Sequence, residues 1–166
     1  MAVWYRSYLI PFGLALIAFL IITTGGWIRI NDAGESCPDW PKCFGTWGFD
    51  ISEEEQEEWW KDNPDEIDSR GAEHRYTTYQ IFTEWVHRAL VGVIGLLVIY
   101  SHYTAWSLKE KIGSRPYKIH FVSSAFLIFQ AILGYITVDL DNAPWTVSLH
   151  LFMALIFTTS LLAVGF

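Results

Sequence analysis

The chain has 166 residues, one domain's worth, with 18 acidic against 11 basic side chains and a formal net charge of −7. It carries 9 Trp, 8 Tyr and 11 Phe, and its uncharged runs are long enough to cross a bilayer. This excludes an ordinary water-soluble domain, and the acidic balance offers no basic surface for nucleic acid.

The first apolar run covers about 8–28 and closes on Gly25-Gly26, where a tight exit or a close helix contact is easy. Arg6 ahead of it and Thr23-Thr24-Gly25 near its end imitate a secretory signal. The run is long for an h-region, so we read it as a retained span.

Residues 29–80 form a long acidic connection that opens on a polar turn. Cys37 and Cys43, the two cysteines of the chain, both lie in it. A bridge would close a short loop, already stiffened by Pro38 and Pro41, and would stabilise it by roughly 2 kcal/mol on the chain-entropy model. A redox-active dithiol is the other reading. C-x5-C is wide for a thioredoxin-type pair, and no third cysteine exists to relay electrons. Ser52 and Glu55 have capping-box spacing and predict a short helix over about 53–61, ended by Pro64. Its Trp59 and Trp60 would rest on the membrane surface or the bundle top. His74 reads as a solvated loop histidine.

The second span covers about 81–104 and opens on Glu84-Trp85-Val86-His87-Arg88. Ionisable groups at that depth are costly and mark a functional site. Glu84 and His87 share a helix face, and Arg88 neighbours Glu84. The third and fourth spans cover about 119–138 and 145–166, with His150 early in the fourth. At 1.5 Å per residue, His87 lies roughly 9 Å and His150 roughly 7.5 Å from their helix starts. Matching depth on two helices suggests axial ligation of a haem iron, with propionates reaching outward to Arg88 or Arg29. The bland alternative leaves Glu84 and Arg88 as an ion pair at headgroup level, His87 interfacial and His150 a hydrogen-bonded core histidine. His102 and His120 also match in depth beside the basic 109–118 loop, either as ligands of an inner haem or as partly hydrated helix ends.

Lys109, Lys111, Arg115, Lys118 and Arg6 lie on one side and the acidic connection on the other. The positive-inside rule puts both termini in the cytoplasm and residues 29–80 outside. The expected architecture is all-α: a four-helix transmembrane bundle in the plasma membrane, with an extracytoplasmic helical loop between helices 1 and 2.

Thr24-Gly25-Gly26-Trp27-Ile28-Arg29, the cysteine pair, Glu84-x-x-His87-Arg88, the stretch Gln130 to Val138 and the later Pro144 and His150-Leu151 together resemble the haem A synthase family. The resemblance covers nearly the whole chain except an acidic insertion around 50–73. Members carry two similar four-helix halves, each with a histidine pair, and this chain resembles the N-terminal half. The resemblance implies His87 and His150 as iron ligands, Glu84 as catalytic acid/base and Cys37–Cys43 as a disulfide. The family's reaction oxidises the C8 methyl of haem O to a formyl, giving haem A for terminal oxidases. Haem b is the implied cofactor and haem O the substrate, supplied by a haem O-producing enzyme.

Two departures stand out. Gly92 is followed by Val93 where some members have arginine, and the second histidine pair is missing. A homo-oligomer would supply two haem sites, with Gly92 and Gly95 permitting close approach. The competing reading is a non-catalytic b-type cytochrome or haem carrier. A thiol–quinone oxidoreductase would need both cysteines and would leave the histidines unused.

Overall fold

A computed structural model describes residues 2–164, with side chains over 9–163. Regular structure among these residues is helical: α1 (Ala2–Ile30), α2 (Glu53–Asp62), a 3-10 turn (Pro64–Glu66), α3 (Thr78–Ser107), α4 (Lys109–Ile112), α5 (Ser114–Asp139) and α6 (Pro144–Val164). Four segments are long and apolar enough to cross a membrane: Leu9–Ile30, Thr78–Ser107, Ser114–Asp139 and Pro144–Ala163. The Arg6 side chain and the last two residues of the expected fourth span lie outside the described residues.

The second span starts earlier than its apolar run. Thr77 accepts the Gln80 backbone N–H through Oγ1, while Gln80 Oε1 accepts the Thr77 N–H at 3.0 Å. This capping box satisfies the orphan donors of the first turn, so α3 begins at Thr78 rather than Ile81.

The long helices form a ring in which α1 packs on α3 and α6, and α5 packs on α6 and α3. Helices α3 and α6 are therefore diagonal. The bundle core joins Leu14, Ala15 and Ala18 of α1 to Ile94 and Val98 of α3 and to Phe157 and Leu161 of α6. The two alanines let α1 approach closely, the usual device where lipid removes any hydrophobic drive between helices. Outward-facing Phe12, Leu16, Phe19, Leu96, Ile99 and Ile128 are exposed, an arrangement suited to acyl chains rather than water.

Residues between α1 and α3 fold as a cap with its own core: Cys37, Cys43, Phe44, Ile51, Trp60, Tyr76 and Ile81. Ser52 caps α2 in the expected capping box with Glu55. Phe44 packs edge-on against Trp59 and Trp60, each at 5.5 Å between centroids. Trp60 is thus interior to the cap, where aromatic packing gains more than membrane-surface contact. The buried Gln56 side chain donates to Tyr76 O and accepts the Tyr76 N–H, both at 2.9 Å, stitching α2 to the start of α3. Tyr76 donates its hydroxyl to Asp68, and burial together with that carboxylate pushes the phenol well above its ordinary range. His74 is not simply solvated, since its ring meets Tyr76 edge-on at 4.7 Å. Asn142, in the α5–α6 turn, donates to Gly34 O at 2.9 Å. That turn and the cap therefore share one end of the bundle, while exposed Lys109, Lys111, Arg115 and Lys118 follow α3 at the other.

Candidate functional site

Helix α3 places His87 against the last turns of α1. The Thr24 hydroxyl donates to Ile21 O at 2.8 Å, which leaves its oxygen free to accept from His87 Nδ1 at 3.0 Å. A proton held at Nδ1 leaves Nε2 bare, the state an iron ligand requires. Gly25 stands beside the ring, where any Cβ would lie 3.3 Å from His87 Cε1.

Helix α6 places His150 against the last turns of α5. Gln130 Nε2 donates to the His150 carbonyl at 2.8 Å and lies 3.1 Å from Nδ1 of the same ring. A Cβ on Gly134 would lie 3.2 Å from His150 Cε1. His87 and His150 lie on the diagonal helices α3 and α6, in the half of the bundle nearest the cap. Two imidazoles, each in a cradle that a side chain would fill, fit the donor set of a haem iron.

Glu84, three residues before His87, is 4% exposed. Its Oε2 accepts the Ser36 hydroxyl and the Cys37 backbone N–H, both at 3.1 Å. Its Oε1 accepts from the Arg88 guanidinium at 2.5 Å. Arg88 also donates to the carbonyls of Cys37, Asp39 and Lys42. One N–H of that guanidinium is left over for a propionate, and the others tie Arg88 to the cysteine loop and to Glu84. Arg29 is exposed, one turn beyond Gly25 toward the cap. Cys37 and Cys43 are joined by a disulfide, and the loop it closes is the one that Glu84 and Arg88 hold.

His102 and His120 occupy the opposite half of the bundle. His102 Nδ1 pairs with Ser124 Oγ at 2.8 Å, and Ser101 Oγ lies 3.3 Å from His120 Nδ1. Serine partners account for both rings as hydrogen-bonded helix residues.

Reading the sequence linked Glu84, His87, Arg88 and His150, but gave no role to Thr24, Ser36 or Gln130. Thr24 and Gln130 were quoted only within longer motifs. Their signal was a hydrogen-bonding side chain inside an apolar run next to, or one turn from, a glycine.

Residues 8–166 match the family described as cytochrome oxidase assembly protein. Among curated proteins, the haem A synthase of Shewanella oneidensis is 29% identical over 136 residues, 82% of this chain and 38% of the relative. That of Exiguobacterium sibiricum is 26% identical over 145 residues, 86% of this chain and 40% of the relative. A third, from another Exiguobacterium strain, is 24% identical over 148 residues, 89% of this chain and 38% of the relative. The chain thus spans about two-fifths of the length of the curated relatives it matches. No solved structure matches it significantly.

Proposed function

The chain belongs to the cytochrome oxidase assembly protein family, and from that premise we propose that it is a haem A synthase-like membrane oxidoreductase, oxidising the C8 methyl of haem O toward the formyl of haem A. The supporting observation is the diagonal pair His87 and His150, each ring set against a glycine, with buried Glu84 one turn away on α3.

His87 and His150 would hold haem b as the resident cofactor, His87 through Nε2, and Arg29 would meet a propionate. Bound there, haem b supplies a one-electron redox centre. Removing electrons from a methyl carbon also releases protons, and Glu84 is the carboxylate placed to accept one. Its Oε1 takes a single donor, Arg88, and so retains a lone pair for that proton. Arg88 and Ser36 hold the carboxylate in place while it does so.

In this reading the acidic cap faces the extracytoplasmic side of the plasma membrane, and both termini and the basic α3–α5 connection face the cytoplasm. A cysteine introduced at Lys111 should be labelled only from inside, and labelling from outside would overturn the orientation. A second copy of the chain would provide the second haem site, one for cofactor and one for substrate. Gly92 and Gly95 have no atom near their would-be Cβ positions and leave α3 open to it. Native mass spectrometry in mild detergent should find at least two chains per particle, and an active single-chain particle would rule the oligomer out. The proposed partners are then haem O, an enzyme that makes it and a terminal oxidase that takes haem A.

The deciding experiment is coexpression with a haem O supply, followed by mass spectrometry of extracted haem. Haem A or its alcohol precursor is the expected product. Haem b alone, with haem O present and unconverted, would replace this reading by a non-catalytic b-type cytochrome.

A further inference from the structure

The two candidate ligands are seated alike although they lie in different helical hairpins. A Cβ at Gly25 would be 3.3, 3.8 and 4.0 Å from Cε1, Nδ1 and Nε2 of His87. At Gly134 the same three atoms of His150 would be at 3.2, 3.8 and 3.9 Å. In both hairpins the glycine lies in the last two turns of the first helix and the histidine in the early turns of the second. Each ring therefore turns its Cε1 edge into the gap left by an absent side chain. Gly26, the next residue after Gly25, has nothing within 4 Å of its would-be Cβ, so the contact belongs to the glycine facing the ring and not to the glycine pair as such.

Each ring also has one polar neighbour from the glycine-bearing helix. For His87 it is Thr24, whose hydroxyl hydrogen is already given to Ile21 O, so that its oxygen can only accept. For His150 it is Gln130, whose amide N–H is anchored on the His150 carbonyl. The same amide nitrogen lies 3.1 Å from Nδ1 and 3.3 Å from Nε2 of the ring, so Gln130 turns a donor and not an acceptor to His150.

We infer that Gly25 and Gly134, with Gln130, are positioning residues that set the plane of the two ligand imidazoles, and that Thr24 also sets the basicity of His87. The glycines fix the ring rotation, because a methyl at either position would push the imidazole by a few tenths of an ångström. Gln130 holds the His150 carbonyl, and the Thr24 oxygen accepts the Nδ1–H of His87, opposite the ligating nitrogen. That bond strengthens the imidazole as a donor and favours ferric over ferrous iron. The inference rests on the ligand assignment proposed above, not on the conversion of haem O.

The test uses the full chain in detergent with haemin as the probe. Affinity is read by absorbance titration, axial geometry by the low-spin ferric resonance signal, and midpoint potential by redox titration. Gly25→Ala and Gly134→Ala should each weaken haemin binding by about 10- to 100-fold and shift the resonance signal, whereas Gly26→Ala should match the parent in both. Thr24→Val keeps the shape of the side chain and removes the acceptor. It should raise the midpoint potential, with Thr24→Ser restoring it. If a glycine variant fails to fold, the Thr24 pair decides the question. Parent-like signal and potential in Thr24→Val would overturn the inference while leaving the ligands in place. An unchanged low-spin haemin spectrum in both His87→Ala and His150→Ala would instead remove the ligand assignment itself.

Discussion

The carboxylate of Glu84 on α3 accepts the backbone N–H of Cys37 at 3.1 Å, so the helix that carries His87 and the disulfide loop of the cap are hydrogen-bonded to each other. Arg88 doubles the connection by donating to the Cys37 carbonyl at 2.5 Å and to Glu84 at the same distance. Both charged side chains are largely buried, at 5% and 12% exposed. Removing one partner of such a pair leaves the other charge uncompensated, at a cost of about 3–5 kcal/mol.

Glu84→Ala should therefore loosen the cysteine loop as well as stop turnover, while sparing much of the bound haem. Limited proteolysis should cut the loop faster, and extracted haem should contain no haem A. Ser36→Ala separates the two effects, because Ser36 anchors the same carboxylate but handles no proton. It should weaken the loop by about 1 kcal/mol and lower conversion without abolishing it. Normal product formation by the Glu84 variant would take the carboxylate out of the chemistry.

His87→Ala and His150→Ala should each lower the haem-to-protein ratio of the purified chain, whereas His102→Ala and His120→Ala should not. The contrast follows from the partners. His102 and His120 are matched to serine hydroxyls, while the rings of His87 and His150 each lie against a glycine. Equal haem loss in all four variants would point to general destabilisation of the bundle instead.

The four long helices were legible because uncharged runs of spanning length have few other uses, and the α2 cap was legible because Ser52 and Glu55 act over local spacing. The Glu84–Arg88 pair was readable for the same reason. What the sequence hid is tertiary. Thr24 meets His87 from 63 residues away, and Gln130 meets His150 from 20. Three of the acceptors that hold Arg88 are backbone carbonyls, which leave no trace in residue identity. That is why the sequence shows Arg88 as a propionate ligand and nothing of its grip on the loop. The sequence leaves Trp60 between the membrane surface and the bundle top, because the partners that bury it in the cap, Phe44 and Tyr76, arrive from opposite ends of that segment.

Cys37→Ser and Cys43→Ser should lower the stability of the cap by roughly 2 kcal/mol on the chain-entropy model. Haem binding should persist, because Glu84 and Arg88 grip the backbone of this loop rather than its sulfurs. Treatment with a thiol reductant should reproduce the double variant. The measurements are proteolytic susceptibility of the cap and the haem absorbance of the same sample. A collapse of turnover with an intact, protease-resistant cap would show that the pair does redox work and would revive the dithiol reading.

The cap should also weaken in acid, starting at α2. Glu55 accepts the Ser52 backbone N–H at 2.7 Å, and this bond, helped by the Ser52 side chain, holds its carboxyl below the ordinary value of 4.5. A carboxyl with a depressed folded-state pKa stabilises the fold while it is ionised in both states. That contribution is complete above the ordinary value and is lost as pH falls through the lower, folded one. Glu57, facing Lys61 and Arg75, is lowered in the same direction. Both carboxylates are fully exposed, so solvent screens them and each acts only locally. Hydrogen exchange across 52–62 should accordingly rise below about pH 4 before exchange in the α3 and α6 cores changes. Ser52→Ala should bring the same fraying to neutral pH, at about 1 kcal/mol, and should remove most of the acid dependence at that terminus. If exchange at 52–62 rises in acid equally in Ser52→Ala and in the parent chain, the capping box is not its source.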